Sequence, residues 1–296
     1  MFDGIQIDPI AFTIPIGNGF AIYWYGIIVT AGILAGVWWA SREIEKRGQS
    51  VDDLLNAAIL VIFSGYVFAR LTYVFLDMLG GGQYNSLVDV INIRAGGVNI
   101  LGGFIGAAVV GGIYVRWRRL KFWHYADVAG PALLLAQAIG RWGNFVNQEL
   151  YGPPTTLPWG ILISAEHRIA PYNDIVQYPL DTRFHPTFLY ESIALFVGFL
   201  LLAWLNGRYR DVWRPGTLFG VFLIWWGGNR AWIELFRPDQ TTVGSTFITY
   251  SMLLALALAL VGVWIVLARN DKMPNFFERK KQRVYKPKPR RETGSR

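Results

Sequence analysis

The sequence predicts an all-α, polytopic membrane protein, on the basis of its low charge, its long apolar runs and its lack of cysteine. Only 16% of the 296 residues are charged, against about a quarter in soluble domains, and 53% are hydrophobic. The apolar residues come in runs of about twenty, the length that a helix needs to cross a bilayer. Because the chain contains no cysteine, disulfide scaffolds, thiolate nucleophiles and thiolate metal sites are excluded.

Seven stretches are long and apolar enough to be predicted as transmembrane helices. They are 20–41, 54–77, 98–117, 125–146, 187–206, 216–236 and 246–268. The second, fourth and sixth are the least convincing, because they contain Arg70, Arg141, Arg230 and Glu234. The longest connection, 147–186, contains six prolines and separates the fourth helix from the fifth. Within it, the alternating segment PWGILIS predicts a short strand over 158–164.

Lys and Arg residues are distributed unevenly between the connecting segments. The segments before the first span and after the second, fourth and sixth contain four of them, whereas the other segments contain twenty. Since Lys and Arg mark the cytoplasmic side, the N-terminus is predicted outside and the C-terminus in the cytoplasm. Residues 1–268 then form the catalytic membrane body, and 269–296 form a basic tail with the whole net charge of +8. We expect this tail to contact anionic lipid and not nucleic acid.

Ionisable residues inside a membrane span cost about 3 kcal/mol each on insertion scales, so their positions are informative. In the segment GRWGNFVNQELYG (140–152), Arg141, Asn144 and Gln148 would share one face of a helix. The glycines of the segment remove bulk beside that face. A guanidinium fork flanked by amides suits the clustered oxygens of a phosphodiester.

A second segment, WGGNRAWIELFRPD (226–239), places Arg230, Glu234 and Arg237 along one helical stripe. Together with the first segment it gives the predicted outer half of the membrane more arginines than acids. The arginines counted are Arg70, Arg141, Arg230 and Arg237, and the acids are Glu149, Glu191 and Glu234. A surplus of positive charge favours an anionic ligand.

The structural alternative is that these arginines only hold the helices together. Arg141 would then pair with Glu149 or Glu191, and Arg230 would pair with Glu234. His185, one of three histidines, stands just before a helix predicted to begin at Pro186. With no cysteine and no His/Glu pair at metal spacing, neither a metal nor another cofactor is predicted.

The sequence resembles the prolipoprotein diacylglyceryl transferase family, of which GRWGNFVNQELYG is similar to the signature. Other segments match family blocks in the family's order: YWYG (23–26), FARLTYV (68–74), GG-x-x-x-x-GG (96–103), HPTFLYE (185–191) and NRAWIELFRPD (229–239). The resemblance implies a seven-span enzyme of the bacterial inner membrane with its active site toward the outer leaflet. It also implies transfer of the diacylglyceryl group of phosphatidylglycerol to the lipobox cysteine thiol in the signal peptide of a preprolipoprotein. The products are a thioether and glycerol-1-phosphate.

The resemblance also implies roles for individual residues. Arg141 and Arg230 match the family's essential arginines and are expected to hold the lipid phosphate. The other matching positions expected at the lipid site are Tyr25, Asn144, Glu149, Gly152 and Glu234. The sequence departs from the family pattern at Leu101, where the family has a histidine proposed as the base toward the thiol, and at Trp226, where a tyrosine is common. His185 and Glu149 are the alternative candidates for that base.

Two other functions are compatible with the sequence. A transporter or channel for an anionic solute would line its path with the arginines, but such proteins are expected to show an internal repeat, and the sequence has none. A non-catalytic homologue that binds phosphatidylglycerol is the second alternative, and it is favoured by Leu101.

Overall fold

The computed structural model describes residues 7–16, 19–84, 86–91, 96–237, 242–244 and 246–273. Within these ranges the chain folds into eight α-helices and four short strands, so the prediction of a helical protein is confirmed in its main feature. The predicted tail lies outside the described residues from 274 onward. The division into a membrane body and a basic tail therefore stays a prediction.

The helices are joined by short connections, except between the fifth and the sixth. They are α1 Trp24–Glu45, α2 Val51–Leu79, α3 Leu87–Ile91, α4 Ile100–Trp117, α5 Phe122–Val146, α6 Thr187–Tyr209, α7 Thr217–Glu234 and α8 Tyr250–Arg269. Three of them begin at side chains that accept a hydrogen bond from the first turn. These caps are Ser50 for α2, Asn99 for α4 and Thr249 for α8.

Five helices of the described chain are long and apolar enough to cross a membrane, namely α1, α2, α4, α6 and α8. This number confirms a polytopic membrane protein, whereas the seven predicted spans stay a prediction. The two remaining long helices, α5 and α7, contain the ionisable residues of the predicted fourth and sixth spans. Since α5 packs against α1, α6 and α7, its polar side chains face other helices, and its mean hydropathy is correspondingly lower.

Two small antiparallel sheets accompany the helices. Strands β1 Ile10–Ile14 and β2 Phe20–Tyr23 pair just before α1, so the first helix begins four residues later than predicted. Strands β3 Ile161–Leu162 and β4 Arg183–Phe184 pair across the long connection between α5 and α6. The strand predicted over 158–164 is thus confirmed in a shorter form. The first sheet was not predicted, because its residues continue the apolar run of the first span.

Small residues bring the helices into close contact, as membrane helices require. A Cβ atom on Gly36 of α1 would lie 2.7 Å from the backbone oxygen of Ala132 in α5. On α4, a Cβ atom on Gly106 would lie 2.4 Å from the Cβ of Phe68 in α2. Gly102 and Gly106 stand four residues apart, a spacing that predicts helix packing in membrane spans, and their close contacts with α2 confirm this role.

A buried polar cluster joins α5, α6 and α7 at the beginning of α5. Asp127 accepts hydrogen bonds from the backbone N–H groups of Gly216 (2.9 Å) and Phe219 (2.9 Å) at the start of α7. Arg47 pairs with Asp127 at 3.2 Å and donates to the amide oxygen of Asn206 on α6 at 2.6 Å. Glu43 on α1 completes the set by accepting a hydrogen bond from the side-chain amide of Asn206. We call these residues the Asp127 cluster: Glu43, Arg47, Asp127 and Asn206.

Candidate functional site

Arg141 lies near the end of α5 and contacts one residue of α6 and one of its own helix. Its Nη2 atom is 2.6 Å from Oε1 of Glu191 on α6, and its Nη1 atom is 3.5 Å from Oδ1 of Asn144. The amide nitrogen of Asn144 in turn donates to Oε2 of Glu149 at 3.3 Å. Asn144 therefore links the guanidinium of Arg141 to the carboxylate of Glu149. The predicted pairing of Arg141 with a glutamate is found, and the partner is Glu191.

Arg230 lies near the end of α7 and faces α8. Its Nη2 atom is 2.7 Å from Oε2 of Glu234, one turn further along the same helix. Its Nε and Nη2 atoms both donate to the hydroxyl of Ser251 at 3.2 Å. Glu234 also accepts from the hydroxyl of Thr249 at 3.2 Å. The predicted pair of Arg230 and Glu234 is present, and α8 fixes both partners.

The two arginines belong to one charged group. Arg230 interacts electrostatically first with Arg237 and its own partner Glu234, and then with Glu191 and Arg141. We call these residues the arginine–glutamate cluster: Arg141, Glu191, Arg230 and Glu234. The acids are almost fully enclosed, with side chains 5% and 0% exposed, whereas Arg141 and Arg230 are 21% and 16% exposed. The accessible part of the cluster is therefore its arginine side chains.

Arg70, one of the arginines counted in the predicted surplus of positive charge, takes its partners from another part of the chain. Its guanidinium is buried and donates to the backbone oxygens of Asp89, Val90, Gly96 and Gly97 at 2.7–2.8 Å. Arg70 thus holds the connection between α2 and α4. Without Arg70, the arginines and glutamates counted in the two segments and on α6 are equal in number. An anion would accordingly bind through N–H donors and not through a net charge.

The end of α5 differs from the prediction at Gln148. The helix stops at Val146, and Gln148 has a positive φ of 53°, which ends the helical course of the chain. Its side-chain oxygen accepts hydrogen bonds from the backbone N–H and the hydroxyl of Ser164 at 2.8 and 2.9 Å. The expectation that Gln148 shares a helical face with Arg141 is therefore wrong, because the helix ends at Val146, two residues before Gln148.

Tyr25 lies beside the signature segment, as the family resemblance implies. It stands in the first turn of α1, is 40% exposed and interacts electrostatically with Glu149 and Arg141. A Cβ atom on Gly143 would approach Cδ2 of the Tyr25 ring to 2.7 Å. Gly143 therefore gives the tyrosine ring the space to lie against α5.

Gly152 is buried under the start of α6 and does not face an open space. A Cβ atom there would lie 2.9–3.0 Å from Thr187, His185 and the backbone oxygen of Phe236. Its N–H group donates to the backbone oxygen of His185 at 2.8 Å. The glycine thus allows the long connection, α6 and the end of α7 to meet beside the cluster.

His185 is half-buried beside two aromatic rings. Its Nδ1 atom lies 3.0 Å from the hydroxyl of Tyr190, which also accepts from Nε1 of Trp159 at 2.8 Å. The ring centroid of Phe236 is 5.7 Å away. Burial lowers the pKa of His185 from its ordinary value, because desolvation disfavours the charged imidazolium. The ring is therefore neutral at neutral pH.

The two positions that depart from the family pattern lie on different helices. Leu101 is 54% exposed in the first turn of α4. Trp226 donates from Nε1 to the side-chain oxygen of Gln137 at 3.0 Å. Gln137 and Trp226 each precede one of the clustered arginines by four residues, so this hydrogen bond joins α5 to α7 one turn away from the arginines.

Several partners in the site were missed by sequence reasoning. They are Gln137, Trp159, Tyr190 and Ser251. Gln137 and Ser251 lie in apolar helices, Trp159 in the predicted strand and Tyr190 in the block HPTFLYE, and none of these patterns indicates a partner. The signal for them is tertiary, since each is recognised by the arginine, tryptophan or histidine that it contacts.

A family model described as prolipoprotein diacylglyceryl transferase matches residues 9–268. Relatives named phosphatidylglycerol–prolipoprotein diacylglyceryl transferase are similar over most of their length. The protein from Chloroflexus aggregans is 41% identical over 242 residues, 79% of this chain and 78% of the relative. The protein from Geobacillus kaustophilus is 38% identical over 83% of this chain and 88% of the relative. The protein from Bacillus mycoides is 36% identical over 90% of this chain and 93% of the relative. The chain therefore belongs to the prolipoprotein diacylglyceryl transferase family.

Proposed function

We propose that the protein transfers the diacylglyceryl group of phosphatidylglycerol to the cysteine thiol in the lipobox of a preprolipoprotein. The observation that carries this proposal is the arginine–glutamate cluster. Two arginines 89 residues apart, in separate segments of the family pattern, share one partly exposed group of charges. The names of the relatives supply the substrates, and the cluster supplies a place for the lipid phosphate.

Arg141 and Arg230 would hold the phosphate through those of their N–H groups that are not already hydrogen-bonded within the protein. A guanidinium has five N–H donors in a planar fork. Within the described residues, Nε of Arg141 and Nη1 of Arg230 have no hydrogen-bond partner. Glu191 and Glu234 orient the two side chains and leave these donors for the ligand. In a partly dry site, such donors stabilise developing negative charge far better than in water.

The reaction is an attack of sulfur on the glyceryl carbon that bears the phosphate. The S–C bond forms, the C–O bond to phosphorus breaks, and the departing glycerol-1-phosphate keeps the electron pair. Because charge accumulates on the phosphate oxygen as it leaves, the two arginines would stabilise the transition state more than the bound lipid. A cysteine thiol has a pKa of about 8.5, so a group that accepts its proton increases the reactive fraction. His185 and Glu149 are the candidates for that group.

The other predicted site residues would shape the lipid-binding surface. Asn144 would orient Arg141 and add an amide to the phosphate site, and Glu234 would hold Arg230. Tyr25 would form a wall of the site next to Glu149. Gly152 would act by close packing, since its backbone N–H is already engaged. These roles follow from the contacts described above and from the family resemblance.

We further propose seven membrane-spanning helices, an N-terminus outside and a cytoplasmic C-terminus. The two helices beyond the five most apolar ones would be α5 and α7, which carry the cluster in the middle of the bundle. The distribution of Lys and Arg then puts the cluster toward the outer leaflet of the bacterial inner membrane. A phosphatidylglycerol molecule can reach this depth from the bilayer, and the thiol can reach it from the secreted side.

A transfer assay with purified protein tests the proposed function. Phosphatidylglycerol with a labelled acyl chain is incubated with a synthetic peptide that contains a lipobox cysteine, and with the same peptide carrying serine instead. Transfer of label to the cysteine peptide alone is expected. Binding of phosphatidylglycerol without transfer would favour the non-catalytic homologue. Uptake of an anionic solute into proteoliposomes without transfer would favour the transporter.

A further inference from the structure

The hydrogen bonds around His185 determine which of its nitrogens carries the proton. The indole N–H of Trp159 is a donor only, so it donates to the hydroxyl oxygen of Tyr190. The hydroxyl hydrogen of Tyr190 then needs an acceptor. Among the residues that the structure describes, its only other hydrogen-bond neighbour is Nδ1 of His185, at 3.0 Å. The arrangement in which all three groups of this chain are hydrogen-bonded to one another has Tyr190 donating to Nδ1 and the neutral ring carrying its hydrogen on Nε2.

This arrangement leaves His185 without a lone pair for a substrate proton. The lone pair of Nδ1 accepts the Tyr190 hydroxyl, and Nε2 already bears a hydrogen. The ring can donate a hydrogen bond from Nε2, but it cannot take the thiol proton unless the contact with Tyr190 breaks. Trp159 belongs to the long connection and Tyr190 to α6, so two separate segments fix the ring.

The three glutamates of the site differ in their partners. Glu191 and Glu234 are each paired with an arginine at 2.6 and 2.7 Å. Glu149 is exposed, and in the described chain it accepts hydrogen bonds only from the neutral amides of Asn144 (3.3 Å) and Asn147 (3.0 Å). The oxygens of Glu149 are thus not held in an ion pair, and they can accept a further hydrogen bond from an approaching thiol.

Glu149 is also close to the group that would hold the phosphate. Asn144 donates to Glu149 through its amide nitrogen and accepts from Arg141 through its amide oxygen. A single side chain therefore separates the carboxylate from the guanidinium. A thiol that approaches a phosphate held by Arg141 would come within reach of Glu149.

We propose that Glu149 accepts the thiol proton and that Trp159 and Tyr190 hold His185 as a hydrogen-bond donor. This inference rests on the proposed function. In the step, the S–H proton passes to the Glu149 carboxylate, sulfur attacks the glyceryl carbon, and the C–O bond to phosphate breaks. Glu149 then returns the proton to water or to the departing phosphate. Glu149 is a catalytic residue in this scheme, whereas Trp159 and Tyr190 are positioning residues.

Substitutions at the two candidate bases separate their roles. Glu149→Gln is expected to reduce the transfer rate by on the order of 10²–10⁴-fold, the usual contribution of a general base. Glu149→Asp should keep more activity, because it keeps a carboxylate. Glu166→Gln is the matched control, since Glu166 is an exposed acid of the same connection. Wild-type activity in Glu149→Gln would overturn the proposal.

Replacement of His185 by glutamine or by alanine should affect the transfer activity differently. The amide nitrogen of glutamine can take the place of Nε2–H as a donor, but it cannot act as a base. His185→Gln should therefore retain much more activity than His185→Ala. If both variants lose activity equally, by the factor expected for a base, His185 accepts the proton and the proposal is wrong.

The tautomer can be observed independently of catalysis. In protein labelled with ¹⁵N-histidine, only three residues give signals, and His185→Gln identifies the one of interest. We expect an unprotonated Nδ1 and a protonated Nε2, and a shift toward the other tautomer in Trp159→Phe. A protonated Nδ1 in the wild type would contradict the proposal. The spectrum needs no substrate. If the wild-type protein has no transfer activity, the proposed function is wrong, but the tautomer of His185 can still be measured.

Discussion

Two charged clusters stand at opposite ends of the same three helices, and they differ mainly in accessibility. The Asp127 cluster lies near the start of α5 and the arginine–glutamate cluster near its end. Fourteen residues of α5 separate Asp127 from Arg141, which is about 21 Å along the helix axis. In both clusters, arginines meet acids from neighbouring helices. Charge by itself therefore does not distinguish the two.

Within the Asp127 cluster, the acid is saturated with partners. Both oxygens of Asp127 accept backbone N–H groups from the start of α7, where the helix dipole also favours an anion. The positive φ of 101° at Gly216 permits the tight turn that aims these groups at the acid. The side chains of Arg47 and Asp127 are only 6% and 3% exposed. This cluster is enclosed by the protein and serves as a structural joint, because it links the helices to one another.

Within the arginine–glutamate cluster, the acids are enclosed but the arginines are not. The exposed fractions of Arg141 and Arg230, 21% and 16%, are about three times that of Arg47. A partly exposed arginine beside enclosed acids thus indicates a site, whereas an ion pair with both side chains enclosed indicates a structural role. The following predictions test this distinction.

Loss of either clustered arginine should have the largest effect on activity. Arg141→Ala and Arg230→Ala are each expected to reduce transfer by at least about 10²–10³-fold, because each removes donors from the departing phosphate. Arg→Lys at either position should also impair transfer, since an ammonium cannot form a bidentate fork. The measurement is the labelled-lipid assay on protein whose membrane insertion is checked in parallel. Full activity in either alanine variant would remove the phosphate-binding role.

Loss of Asp127, the acid near the start of α5, should lower the stability of the protein without changing its transfer activity. Asp127→Asn leaves Arg47 buried beside a neutral amide, and breaking a buried ion pair costs about 3–5 kcal/mol. We expect a clear fall in the midpoint of thermal unfolding in detergent, with an unchanged transfer rate per folded molecule. A variant that is stable but inactive would contradict the view of this cluster as a joint.

A small change beside Tyr25 should have an intermediate effect. In Gly143→Ala, the new methyl group would lie 2.7 Å from the tyrosine ring, which has to move away from α5. Displacement of a wall of the site by about 1 Å can reduce activity by up to about 10²-fold. Gly140→Ala is the control, because its nearest neighbour would be 4.0 Å away. Equal activity of the two variants would show that the position of Tyr25 does not matter.

The smallest predicted effect concerns the titration of His185. The Tyr190 hydroxyl stabilises the neutral ring by donating to Nδ1, so Tyr190→Phe should raise the pKa of His185. Burial lowers the pKa in the wild type, and the loss of this hydrogen bond acts in the opposite direction. The shift is measured by following the ¹⁵N signals of His185 against pH. A lower pKa in Tyr190→Phe would mean that the tyrosine accepts a hydrogen bond from the ring.

The sequence by itself determined the class of protein and one of its ion pairs. An apolar run of about twenty residues forms a helix in the membrane, because each backbone group without a hydrogen bond in lipid costs several kcal/mol. The spacing of Arg230 and Glu234 along one stripe of a helix gives their ion pair directly. For the same local reason, the glycines of α4 could be predicted as packing positions.

Only the tertiary structure decided which partner each arginine takes. Arg70 and Arg141 both look like costly charges in a span, but one binds backbone oxygens of a connection and the other binds Glu191. Likewise, the Tyr190 hydroxyl that contacts His185 is also bound by Trp159, a residue of the long connection. The physical reason is that helical spacing fixes neighbours within one or two turns, whereas contacts between segments depend on how the chain brings distant helices together.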